Sequence, residues 1–165
     1  MSEISVSQTW HDNGRLREQA SMKRGSEIIT SQYWYSTGQL RMQVFLIRGK
    51  HEGERKFWYE NGRLNAREFY RNGNNEGRFN LWREDGSPYI QSFYREGKLE
   101  GMRKVWSDDG YPEYQMFYQH GYVINMNFTW KKRRIFFQFK KSLQNSKTKL
   151  LSTVLISDLT KTICP

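Results

Sequence analysis

Trp58-Tyr59-Glu60-Asn61-Gly62-Arg63-Leu64 is the stretch that decides the fold. An Asn-Gly pair between strand-forming residues is a strong hairpin signal, since glycine has no Cβ to oppose a positive φ. The same frame returns every 24 residues. The tryptophans are Trp10, Trp34, Trp58, Trp82, Trp106 and Trp130, all in one phase. Four residues after the first five come Gly14, Gly38, Gly62, Gly86 and Gly110. Eleven further on stand Gly25, Gly49, Gly73, Gly97 and Gly121, and a third series, Gly53, Gly77 and Gly101, occupies the middle of the array. A fixed period without insertion or deletion marks a repeat architecture.

Each unit reads as two strands and two turns. One strand ends on the tryptophan, as in Arg78-Phe79-Asn80-Leu81-Trp82. The other ends on an aromatic pair, Phe69-Tyr70, Phe93-Tyr94 or Phe117-Tyr118, with Phe45-Leu46 as the variant. The dipeptides Asn13-Gly14, Asn61-Gly62, Asp85-Gly86 and Asp109-Gly110 predict type I′ turns, with positive φ at both central residues. Thr37-Gly38 is the weak member on that reading, because threonine resists positive φ. Alternation puts Leu64, Ala66, Glu68 and Tyr70 on one face and Asn65, Arg67 and Phe69 on the other. A helix is disfavoured, since glycine recurs in mid-pattern at about 1 kcal/mol per interior position. The aromatic ladders are expected to form the core of a thin sheet and, where exposed, a binding face. Pro88 and Pro112 replace the leucine after the hairpin, which a strand tolerates only at its first residue or at an edge.

Residues 58–64, Phe69-Tyr70-Arg71-Asn72-Gly73 and Gly97-Lys98-Leu99-Glu100-Gly101 resemble MORN repeats, and more closely the variant form with its W-Y-x-x-G-x-L hairpin. The resemblance covers roughly residues 8–130. It implies an all-β fold: an elongated, twisted single antiparallel sheet of consecutive 24-residue hairpins. It also implies an interaction module. Similar proteins include antitoxin-like members of bacteria and multi-copy proteins of large DNA viruses, and some members are associated with anionic lipids. Ile29 and Asn125 depart from the pattern where the third glycine should stand.

On this reading residues 1–9 are a lead-in strand, 10–130 five repeats, and 131–165 a short helical or irregular tail. The 165 residues carry 27 basic and 17 acidic side chains, a net charge of +10. That charge is uneven. Residues 131–165 hold nine Lys or Arg against Asp158 alone, a net of +8, whereas residues 1–130 hold 18 against 16, a net of +2. Lys131, Lys132, Arg133, Arg134, Lys140 and Lys141 are the candidate anion-binding residues, toward an anionic lipid surface. Leu143, Leu150, Leu151, Val154, Leu155 and Leu159 have the spacing of a short amphipathic helix, which would cap the sheet end. The single Cys164 cannot make an internal disulfide. No stretch approaches the ~20 apolar residues of a membrane span, and residues 1–15 lack a leader's apolar run. An intracellular protein is expected, cytoplasmic or, if viral, in the host cytoplasm.

Enzymatic chemistry finds no support in the pattern. His11, His51 and His120 stand at three different phases of the repeat, so no shared acid–base site is implied. The acids Asp12, Glu60, Glu84, Asp85, Asp108 and Asp109 fall in hairpin turns, where their backbone roles explain them better than a metal row does. Neither catalytic nor metal residues are assigned, and no cofactor is expected. Nucleic acid is disfavoured for the repeats, because Glu52, Glu54, Glu76 and Glu100 offset Arg55, Lys56, Arg78, Arg103 and Lys104. The candidate partner-binding residues are Phe45, Phe69, Phe93, Phe117, Tyr35 and Tyr59, on a non-catalytic scaffold for a protein partner. A toxin-neutralising role and lipid binding through the tail are the alternatives.

Overall fold

The computed structural model describes residues 4–23 and 25–128. The chain divides into two compact units, Met1–Met126 and Asn127–Pro165. The first unit holds the sheet, whose last strand runs on to Phe128. Trp130, the cations from Lys131 to Lys141 and the expected capping helix lie outside the described residues.

Among the described residues the fold is all-β, without a helix, and all fourteen strands belong to one open antiparallel sheet. The first hairpin is β1 (Ile4–Trp10) and β2 (Leu16–Lys23), the second β3 (Ile28–Trp34) and β4 (Leu40–Ile47). The short β5 (Lys50–His51) leads into β6 (Gly53–Trp58), which pairs with β7 (Leu64–Arg71). In the same way β8 (Asn74–Asn75) precedes β9 (Gly77–Trp82) and its partner β10 (Pro88–Arg95). Then come β11 (Lys98–Leu99), β12 (Gly101–Trp106), β13 (Pro112–Gln119) and β14 (Tyr122–Phe128). Each long strand lies beside the next in sequence, with no crossover. Pro88 and Pro112 open their strands, where a missing amide donor is tolerated.

The type I′ geometry expected at the Asn-Gly and Asp-Gly hairpins is found at the other turn of the repeat. At Asn61-Gly62 the Tyr59 N–H donates to the Arg63 carbonyl at 2.8 Å and the Gly62 N–H to the Tyr59 carbonyl at 3.0 Å. This is a three-residue loop, a type I turn closed by a left-handed glycine, and it shifts the register by one residue at Phe57/Trp58. Only Gly62 has positive φ, at 83°. Asn61 serves through its side chain instead: Oδ1 accepts from the Arg63 N–H at 2.9 Å. Thr37 occupies the same place without strain, so the expected penalty there is absent. The type I′ turns belong to the other glycine series, and Arg48-Gly49 (φ 52° and 73°), Asn72-Gly73 (51° and 85°), Glu96-Gly97 (51° and 77°) and His120-Gly121 (52° and 88°) are positive at both positions.

The third glycine absorbs a mismatch. From Leu46↔His51 to Met42↔Phe57 the chain advances four residues on β4 and six on the facing side. The two surplus residues bulge around Gly53 (φ 69°), where the Glu52 N–H donates to the Phe45 carbonyl at 3.0 Å. In the first repeat, with Ile29 in the glycine position, the ladder from Glu18↔Tyr33 to Met22↔Ile29 has no shift. There the connection from β2 to β3 is two residues longer than that from β4 to β5.

Burial is one-sided, on the face carrying Leu64 and Ala66. Cross-strand pairs place Ser31 with Val44, Ala66 with Phe57 and Leu81, and Ile90 with Val105 on it. Among the described residues Val44, Ala66, Val105, Met116, Tyr118, Ser31 and Ser92 are the buried ones. The expected aromatic core is therefore replaced by a row of mainly small side chains. In a sheet a bulky ring shields its smaller cross-strand neighbours more than it is shielded itself. Trp34, Trp58, Trp82 and Trp106 are half-buried, and Trp10, on the terminal hairpin, is 56% exposed.

Two substitutions test the turn assignment. Gly62→Val is expected to lower stability by about 1–3 kcal/mol, because a β-branched residue must enter the left-handed region. Glu96→Asn is expected to raise it by about 0.5–1 kcal/mol, since asparagine tolerates that region better. Urea titrations of both variants would measure the two changes.

Candidate functional site

Successive repeats are fastened by hydrogen bonds that recur with the period. The Tyr35 hydroxyl donates to the Trp58 carbonyl at 2.9 Å, and the Tyr59 hydroxyl to the Trp82 carbonyl at 2.9 Å. His11 and Arg83 hold the same place in their repeats, with His11 Nε2 2.9 Å from the Trp34 carbonyl and Arg83 Nη2 2.5 Å from that of Trp106. Tyr35 and Tyr59, both candidates for partner binding, thus have their hydroxyls engaged within the array. A second fastening uses acids. Carboxylates of Glu52, Glu76 and Glu100 accept the backbone N–H of Asn72 (2.7 Å), Glu96 (2.8 Å) and His120 (2.8 Å), the first central residue of the next type I′ turn.

The phenylalanine series lies on the less buried face, along one flank of the sheet. Cross-strand partners are Thr30 for Phe45, Glu54 for Phe69, Arg78 for Phe93 and Met102 for Phe117. Ile28 faces Ile47 at the same flank, and Ile28, Ile47, Phe93 and Met102 are exposed at 49%, 37%, 37% and 38%. Phe45, Phe69 and Phe117 are half-buried. The Arg67 guanidinium lies 5.1 Å from the Phe69 ring centroid and pairs with Glu54, which also pairs with Lys56 at 2.6 Å. Burial pushes the Glu54 carboxyl up, but hydrogen bonds and charge from Lys56 and Arg67 outweigh it and hold it below the ordinary carboxylate value.

The opposite face carries a polar cluster that the repeat pattern did not single out. Arg55 Nε and Nη2 donate to Glu68 Oε2 at 2.8 and 2.5 Å, and Nη2 also reaches the Tyr70 hydroxyl at 2.6 Å. That hydroxyl donates to Glu68 Oε2 at 2.9 Å. The His51 ring stacks obliquely on Tyr70, centroids 5.2 Å apart, with Nδ1 buried and without a hydrogen-bond partner. Burial and the Arg55 charge push the His51 pKa down against a smaller opposing pull from Glu68. Burial, then Glu68, pushes the Tyr70 hydroxyl up. A signal was available in the sequence: position 68 is Glu where the next two repeats have Ser92 and Met116. Elsewhere His11 and His120 stand apart from this cluster, and among the described residues no three His, Cys, Asp or Glu group as metal ligands.

One stretch of this array, from Glu52 just ahead of β6 to the turn at Asn72, coincides with a known repeat. Residues 52–72 match the family model of the MORN repeat variant. The Glu52 carboxylate and the Asn72 N–H, joined by a hydrogen bond, are thus the two ends of the matched segment. No curated protein matches the chain. MORN repeats are generally non-catalytic and form scaffolds, often in protein or membrane interaction. Among the described residues no helix is long and apolar enough to cross a membrane.

Lowered pKa values at His51 and Glu54 mean that the unfolded chain takes up protons before the folded one does. Folded stability is therefore expected to hold above about pH 6.5, the ordinary histidine value, and to fall below it as unfolded His51 becomes charged. The loss steepens at carboxylate pH, where Glu54 must give up its partners. A series of Tm measurements from pH 8 to pH 4 checks this, and His51→Leu is expected to flatten the limb near pH 6 while leaving the acid limb.

Proposed function

We propose that the protein is a non-catalytic repeat scaffold that binds a protein partner through the flank bearing Phe45, Phe69, Phe93 and Phe117. The observation that supports this reading is the same-phase apolar row, continued by Ile28, Ile47 and Met102, left accessible beside charged residues. Exposed apolar side chains gathered on one flank beside polar ones are a usual mark of an interaction surface. Aromatic anchors on a rigid sheet lose little side-chain freedom on binding, so they give much contact area for a small entropic cost. A toxin is one class of partner this flank would accept, and that reading rests on the family resemblance alone.

The charge division favours a second role. With a net of +8 on residues 131–165 against +2 on the rest, the tail would be drawn to anionic lipid at about 1 kcal/mol per basic residue near the surface. Sedimentation with phosphatidylserine vesicles is expected to lose most bound protein on raising salt or removing residues 131–165.

Phe69→Glu combined with Phe93→Glu tests the principal reading. Affinity purification from the native cell followed by mass spectrometry is expected to recover a partner with the wild-type chain and to lose it with the double variant. Circular dichroism controls for folding. Equal recovery by the two proteins would refute the assignment of this flank.

A further inference from the structure

The type I′ turns line one margin of the sheet, and charge beside them is uneven. The cross-strand pair that closes each turn lies on the phenylalanine face: Ile47 with Lys50, Arg71 with Asn74, Arg95 with Lys98. Ile47, Arg71 and Arg95 stand two residues beyond Phe45, Phe69 and Phe93, hence on the same face. Successive turns adjoin. The Gly73 N–H donates to the His51 carbonyl at 2.9 Å and the Gly97 N–H to that of Asn75 at 2.9 Å, so each turn sits against the short strand of the repeat before it. The row therefore runs Lys50, Arg71, Arg95, Lys98, with at least one cation at each of three successive turns, and all four are exposed. Acids of this margin are already engaged. Glu27 pairs with Arg48, Glu54 with Lys56 and Arg67, and Glu52, Glu76 and Glu100 accept turn N–H groups. Of the described carboxylates along this margin Glu96 alone is left to offset four cations that pair with none. The net of +2 over residues 1–130 hides the imbalance, because the engaged acids count in the sum.

We propose that the partner of the phenylalanine flank is an acidic polypeptide segment in the polyproline II conformation, laid across the strands with a carboxylate at every third residue. This rests on the reading of the flank given above and adds the chemistry of its partner. Charge selects acids, and spacing selects their order. Arg71 and Arg95 end β7 and β10, two strands apart, so they stand about 9.6 Å from each other. A polyproline II segment turns once in three residues and rises about 9.3 Å in doing so, which brings every third side chain to one side at the interval of the turns. An extended strand would present its third residue to the opposite side. Apolar residues between the carboxylates would lie against Ile47, Phe93 and Met102, all exposed on this face. A bilayer fits less well. Neighbouring strands rotate by about 20–25°, so over the four steps from β4 to β10 the row turns through about 80–100° and leaves any one plane. A narrow peptide follows that turn.

The full-length protein is titrated with fluorescein-labelled peptides at physiological salt, with anisotropy as the readout. The probe is three copies of Glu-Pro-Leu, in which proline favours the required conformation. One control has Gln for every Glu; the other has the same composition with its three Glu consecutive. The probe is expected to bind at least about tenfold more tightly than either control. The second control carries the same charge, so simple attraction to the basic residues 131–165 does not produce the difference. Arg71→Gln combined with Arg95→Gln is expected to remove the probe's advantage while circular dichroism stays unchanged. Lys50→Gln with Lys98→Gln replaces that pair should the first variant not fold. Equal binding of the probe and the consecutive-Glu peptide overturns the proposal, as does an advantage that survives in a folded variant. Phosphatidylserine vesicles bound in preference to the probe, and released by the arginine variant, would give the row to a membrane and overturn it too. A native partner lost by the Phe69→Glu, Phe93→Glu protein yet kept by the arginine variant overturns the acidic segment and leaves the flank reading in place.

Discussion

A left-handed glycine four residues past each of the first five tryptophans is the constraint on which the rest of the sheet depends. It closes a three-residue loop and slips the register by one, and so fixes which residues of the following strand face the small buried row. Everything that joins one repeat to the next then falls into place at a constant distance. The Tyr59 hydroxyl finds the Trp82 carbonyl, and the Glu76 carboxylate finds the Glu96 N–H, because every intervening turn has spent the same number of residues. Cohesion in this sheet comes largely from backbone ladders and these fastenings. Among the described residues only a handful of side chains are buried, and several of those are small.

The architecture was legible because glycine and tryptophan repeat without error, and such regularity has few physical solutions. Strand order, hairpin succession and the alternation of Leu64, Ala66, Glu68 and Tyr70 against Arg67 and Phe69 all follow from it. Turn chemistry was less legible. Asn61-Gly62 and Asn72-Gly73 look alike as dipeptides, yet the first sits in a three-residue loop and the second in a two-residue one. What separates them is the register of the strands on either side, which only the assembled ladder defines. Glu96 and His120 at positive φ were hidden for the same reason, being poor residues for a conformation that the flanking pairs impose.

The candidate sites divide along similar lines. The phenylalanine series could be found by phase alone, but whether a ring is covered depends on its cross-strand neighbours. Thr30, Glu54, Arg78 and Met102 give the four rings different surroundings. The cluster at Arg55 was hidden because it is a departure from the repeat. An alignment on the period treats Glu68, Ser92 and Met116 as noise at one position. In three dimensions Glu68 at that position meets the guanidinium of Arg55. In a repeat protein the fold is written in what recurs, and specificity in what does not.

The two surplus residues of each unit carry a last consequence. The first repeat stores them between its strands and the next three in a bulge at the third glycine, yet the strands beyond pair in equivalent alignment. Pairs of residues can therefore be gained, lost or relocated between hairpin tip and strand without turning the sheet inside out. A single added residue would invert every side chain up to the next loop, bringing lysines and glutamates inward. Natural length variation in this lineage should then occur in steps of two, clustered at the hairpin tips, and odd-numbered changes should be rare.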